Sequence, residues 1–179
     1  MDGLLRLARA IDALNGAVGR GVKWLVLLAT LISSGNALLR YGLDTSSNAW
    51  LELQWYLFAL IFLLGAGHTH LHNGHVRIDV LYGRLGPRAR AWVDLLGGLL
   101  FLLPVAGLMV WLGWGAFQAS FAVGETSPDA GGLLRWPIKL ALPLGFALLF
   151  LQGLAETIKR AAFLAGRLEL AEEQPEEVV

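Results

Sequence analysis

The chain has 179 residues, of which 56% are hydrophobic and only 16% charged. With a mean hydropathy of +0.59, this composition excludes an ordinary soluble domain. The formal net charge is zero, so orientation must be read from where the charges stand rather than from their sum. The absence of cysteine excludes disulfides, thiolate metal ligands and a Cys nucleophile.

In chain order, residues 1–23 form an amphipathic segment. Leu4, Leu7, Ala8, Ile11 and Leu14 share one helical face, while Arg6, Arg9 and Asp12 fall elsewhere; the pattern predicts a helix lying on a membrane surface. A first apolar run follows between Lys23 and Arg40 and predicts a span over 24–41, with both cations snorkelling outward. Ser33, Ser34, Gly35 and Asn36 make its second half small and polar, a pattern suited to close helix packing. A signal peptide is the competing reading of this region, with Ser33-Ser34-Gly35 as its cleavage site. The long amphipathic, acid-containing start and the apolar continuation through Leu39 argue against it.

Ser46, Ser47 and Asn48 are N-cap candidates for a second span over 49–68, with Glu52 and Gln54 in its first turns. An acid there lies near the positive end of the helix dipole and close to headgroup depth, where burial costs less. Arg40 and Glu52 are thereby candidates to pair across the tight hairpin joining the two helices. Between the second and third spans, Ile78, Leu81, Tyr82 and Leu85 predict a short amphipathic helix ended by Gly86 and Pro87, although Val76, Ile78 and Val80 also alternate like a strand. The third span covers 92–117, with Asp94 at its entrance and a kink predicted near Pro104. The fourth covers 137–163; Glu156 and Arg160 have the spacing of an exposed i,i+4 pair. Residues 164–179, rich in glutamate, read as a solvated tail.

The fold class expected is therefore an all-α integral membrane protein with four transmembrane helices over 24–163. Eleven Lys and Arg stand before span one, in the loop between spans two and three, or at and beyond the end of span four; Arg40, Arg135 and Lys139 stand on the other side. The positive-inside rule then places both termini and the middle loop in the cytoplasm. Trp24 and Trp92 mark the inner interface, and Trp50, Trp114 and Trp136 the outer.

Chemistry is sparse. His68, His70, His72 and His75 fall in one short stretch, and helical geometry would put His68, His72 and His75 on one face, an arrangement able to bind a transition metal. No carboxylate or cysteine cluster completes a ligand set, and amphipathic side chains are expected at a membrane boundary, so no metal site is assigned. Bis-histidine haem would need histidines on facing spans, and the other three have none. The serines lack a G-x-S-x-G setting, and no glycine run precedes a Lys-Ser/Thr pair. A stand-alone transporter is the next class to weigh, with Asn36, Arg40 and Glu52 as its polar cluster. Such transporters carry midplane polarity or broken helices related by a repeat, and neither occurs here.

At these residues the chain resembles the small membrane subunit of tripartite ATP-independent periplasmic (TRAP) transporters, the DctQ-like proteins. The resemblance covers roughly residues 20–160. It rests on Asn36 with Arg40-Tyr41, then Trp50, Glu52 and Trp55-Tyr56; on His75-Val76-Arg77-Ile78-Asp79-Val80, similar to an H-V-x-[VI]-D element; and on Glu125-Thr126-Ser127-Pro128-Asp129, Gly131-Gly132 and Trp136-Pro137-Ile138-Lys139. One departure stands out: many members carry two adjacent acids at the start of helix two, whereas here Glu52 is followed by Leu53 and Gln54. The resemblance implies a non-enzymatic scaffold subunit without cofactor in a sodium-coupled importer of organic acids, with α-keto or hydroxy acids as the solutes suggested by the branch. Its implied partners are a large permease subunit, a periplasmic solute-binding protein and membrane lipids, and no nucleic acid. Asn36, Arg40 and Glu52 are then expected to pin the outer hairpin, and His75, Arg77 and Asp79 to fix the inner loop or meet a partner.

Overall fold

Each uncharged apolar run becomes the middle of a long helix, as expected of a backbone that must satisfy its own hydrogen bonds away from water. The structure is a computed structural model describing residues 2–45, 47–75 and 82–168. Helix α1 is Asp2–Leu43, α2 is Asn48–Leu71, α3 is Pro87–Ala122 and α4 is Trp136–Leu164. All four are long and apolar enough to cross a membrane. Among the described residues there is no strand, only an isolated antiparallel bridge between Thr126 and Leu134. The protein is thus an all-helical membrane protein of four spans.

The amphipathic start is not a separate element. Helix α1 runs unbroken for 42 residues, about 63 Å at 1.5 Å per residue and roughly twice the hydrocarbon thickness. No proline interrupts residues 2–43, so nothing stops the helix between its amphipathic and apolar parts. Part of the apolar stripe at its start serves helix packing. Ala8 and Ile11 are buried against Ala155 and Ile158 of α4, while Leu4, Leu7 and Leu14 remain exposed.

The expected break near Pro104 is present in α3. An α-helical segment Pro87–Gly97 leads into a π-helical turn, Gly98–Leu102, and the α-helix resumes at Leu103–Ala122. Proline has no N–H for the carbonyl four residues back and its ring crowds that carbonyl. The wider turn relieves this: the Leu103 N–H bonds the Gly98 carbonyl, five residues back.

Helix α4 is the hub. It packs along α1, α2 and α3, whereas α3 makes no extensive contact with α1 or α2. Its buried face is built from small or narrow residues, among them Ala141, Gly145, Gly153, Ala155 and Ala162. At Gly145 a Cβ would lie 2.6 Å from the Leu63 carbonyl oxygen of α2, so this crossing requires glycine. Close backbone approach is the usual route to tight packing where lipid removes the hydrophobic incentive.

At the end where α1 begins and α4 finishes, hereafter the terminal end, polar groups tie α1 and α3 to α4. Asn15 Nδ2 donates to Gln152 Oε1 (2.9 Å), and Gln152 Nε2 donates to Asp12 Oδ1 (2.8 Å). Lys159 pairs with Asp12 (3.2 Å) and Glu156 (2.5 Å). Arg160 pairs with Asp94 of α3 (3.2 Å), which also accepts from the Tyr82 hydroxyl at 2.9 Å. The expected Glu156–Arg160 pair is therefore corrected. Both side chains are about four-fifths buried; Arg160 turns to Asp94 of α3, and Glu156 is taken by Lys159 and Gln152 of its own helix.

Candidate functional site

At the other end of the bundle, hereafter the hairpin end, the connection 123–135 folds back over the start of α2. Its own bonds shape it: Ser127 N–H to the Leu133 carbonyl (2.9 Å), Arg135 N–H to the Glu125 carbonyl (2.8 Å) and Gly132 N–H to the Asp129 carbonyl (3.0 Å). Gly131 takes φ of +72°, a region that favours glycine. The result is a small irregular hairpin rather than a loose loop.

One face of α2 grips this hairpin at helical spacing. Asn48 Nδ2 donates to the Ala130 carbonyl (3.0 Å). One turn on, Glu52 is 4% exposed and both of its oxygens are occupied. Oε1 accepts from the Ser127 hydroxyl and from Arg135 (3.1 Å), and Oε2 accepts from the Leu133 N–H (2.6 Å). A further turn on, the Tyr56 hydroxyl donates to the Leu134 carbonyl (2.7 Å), and Arg135 lies 5.0 Å from the Trp55 ring centroid. A buried carboxylate is tolerated only with such charge-assisted partners. Gly132 makes room for it: a Cβ there would lie 2.9 Å from Glu52 Oε1 and 2.4 Å from the Ser127 Cβ.

Glu125, in the connection outside the spans, forms an ion pair with Lys139 in the first turn of α4. The hydrogen bond from Lys139 is the main reason the Glu125 carboxyl is held below its ordinary 4.5. Below this level, the Ser33 hydroxyl bonds Gln54 Oε1 (2.9 Å), joining α1 to α2.

The expected site residues are distributed as follows. Asn36 is buried on α1. Arg40 is exposed near the end of that helix, and the ion pair expected between Arg40 and Glu52 is replaced by Glu52–Arg135. The physical reason is reach: the folded-back hairpin presents a backbone donor, a hydroxyl and a guanidinium to one carboxylate. His75 lies beyond the end of α2, its ring 6.0 Å from His70, while His68 and His72 pair at 4.2 Å. The three-histidine face is thus corrected, because the helix ends at Leu71. Among the described residues no group of three or more His, Asp or Glu side chains is placed to hold a metal. Arg77, Asp79 and residues 78–81 of the expected short helix at 78–85 lie outside the described residues.

Three partners of Glu52, namely Ser127, Leu133 and Arg135, were not expected as such. The signal for the face they meet is present in the sequence: Asn48, Glu52 and Tyr56 recur every four residues on an otherwise apolar helix.

The whole clamp falls inside a recognisable family. Residues 29–163 match the family model described as the DctQ component of tripartite ATP-independent periplasmic transporters. The chain belongs to the DctQ family. Over 126 residues this DctQ-family chain is 32% identical to the C4-dicarboxylate TRAP transporter small permease protein DctQ of Pseudomonas aeruginosa. That alignment covers 69% of this chain and 58% of the relative, so the chain spans less than two thirds of that protein's length. Asp12 and Asn15 lie before the residues matched to the DctQ family, whereas Glu52, Ser127, Arg135 and Gln152 lie within them.

Proposed function

We propose that this chain is the small scaffold subunit of a TRAP-type secondary transporter that imports organic acids, sodium-coupled, together with a periplasmic binding protein and a large permease subunit. The observation that carries this reading is the saturation of Glu52. Its oxygens are committed to Ser127, Leu133 and Arg135, so a buried acid that a transporter would use for a cation or solute is used here to fix a connection. Family membership supports the same role. The subunit has no catalytic activity, sits in the bacterial inner membrane, and has both termini in the cytoplasm, as the distribution of Lys and Arg requires. Asn36 and Arg40 are assigned to hairpin stability, and His75, Arg77 and Asp79, in the sequence connecting α2 to α3, to fixing that loop or meeting a partner.

Affinity purification of the chain from native membranes tests the assignment. Recovery with a larger polytopic subunit is expected; recovery as a stable homomer that alone drives solute uptake into vesicles under an inward sodium or proton gradient overturns it. In the sequence connecting α2 to α3, Asp79→Ala should reduce co-purification of the large subunit, and undiminished assembly and uptake would remove that residue from the interface.

A further inference from the structure

Between α1 and α2, toward the terminal end, lies a cleft of about 350 Å³. Its polar lining is Arg20 and Lys23 of α1 with Thr69 of α2, and its apolar walls are Val22, Ile61 and Gly65. The His68 ring packs so closely on Gly19 that a Cβ at residue 19 would lie 2.2 Å from it.

The polar groups differ in what they have left to offer. The Thr69 hydroxyl is already spent on the Gly65 carbonyl, at 3.1 Å. Arg20 and Lys23 are exposed, and among the described residues neither belongs to an ion pair. The carboxylates nearest in purpose, Asp12, Glu156 and Asp94, are committed to Lys159 and Arg160. The Lys23 ammonium lies 5.8 Å from the Trp24 ring centroid, and that tryptophan is 64% exposed, the placement of an interfacial anchor. Two cations without a carboxylate partner among the described residues therefore stand beside an apolar slot that small residues hold open.

We propose that this cleft is a binding site for one anionic phospholipid of the adjacent leaflet. The phosphate meets Arg20 and Lys23, and the upper part of an acyl chain lies against Val22, Ile61 and Gly65. A small hydrated anion gains nothing from those apolar walls, and a zwitterionic headgroup brings its own ammonium to two positive charges. The site requires only that the chain be embedded in a bilayer and is independent of any permease partner.

The test uses the full chain purified in detergent, with lipid retention read by native mass spectrometry and thermal shift. Dioleoyl phosphatidylglycerol, dioleoyl phosphatidylcholine and inorganic phosphate are added separately. Phosphatidylglycerol is expected to be retained at one copy and to raise the melting temperature; the other two are not. The Arg20→Gln, Lys23→Gln double variant should weaken retention roughly tenfold or more, since each cation near an anionic lipid contributes measurably. Gly65→Leu, which fills the slot without changing charge, should also weaken it; a Cβ at Gly65 meets only Val22, at 3.8 Å. Equal retention of phosphatidylcholine, equal stabilisation by inorganic phosphate, or an equal loss in an Arg6→Gln, Arg9→Gln protein whose charge change lies outside the cleft would each overturn the proposal.

Discussion

Glu52 shows how one side chain can be costly in isolation and stabilising in place. Its charge is neutralised by Arg135 and its lone pairs are taken by Ser127 and Leu133. Glu52→Gln keeps the shape but removes the charge that Arg135 answers, and Gly132→Ala pushes a methyl against Ser127 and the carboxylate. Both are expected to speed amide exchange at Leu133 several-fold, and an unchanged rate in either would show that the hairpin holds without the clamp. The neighbouring pair adds a pH dependence. Glu125 has a folded pKa depressed chiefly by its bond from Lys139, so its contribution is complete above the ordinary carboxylate value and is lost as the pH falls from 4.5 through the lower folded value. Amide protection in residues 123–135, taken relative to the intrinsic exchange rate at each pH, should therefore fall on acidification over that window, and Glu125→Gln should flatten the fall. Glu52 was legible in the sequence as an acid at a helix entrance. Its partner was not, because Arg135 is 83 residues away along the chain, and only the packing of α4 on α2 brings the hairpin over it. Arg40 is nearer in sequence, yet it lies within an exposed stretch at the end of α1.

At the scale of the helix, the four apolar runs identify the spans because water-free surroundings leave the backbone few alternatives. The proline in α3 likewise announced its distortion, though not that a π-helical turn would absorb it. What the runs concealed is polar contact between helices. Asn15 and Gln152 are both fully buried and bond each other from positions that read simply as parts of an amphipathic segment and a span. Gln152→Ala leaves Asn15 without that partner and is expected to cost about 1–2 kcal/mol of unfolding free energy in detergent. The Asn15→Leu, Gln152→Leu double variant should cost less than the sum of its single changes. Gly145→Ala forces α4 away from the Leu63 carbonyl, and overpacking of this kind costs about 1–3 kcal/mol. A melting temperature equal to that of the unaltered protein would show that the crossing has slack.

For the molecule as a whole, charge placement makes a prediction that helix geometry alone does not. Reporter tags at residues 1 and 179 should both be cytoplasmic, and one inserted near Asp129 should be external. Opposite locations for the two ends would break the four-span topology. The arrangement around α4 also bears on how the protein is made. The helix that holds the other three together follows them all in the chain, so α1, α2 and α3 enter the bilayer before their common partner exists. Until it arrives, Gln152 has not yet met Asn15, and Glu52 waits at the membrane surface without Arg135. Assembly is thus a last-step event, in which insertion of a single segment satisfies both ends of the bundle at once.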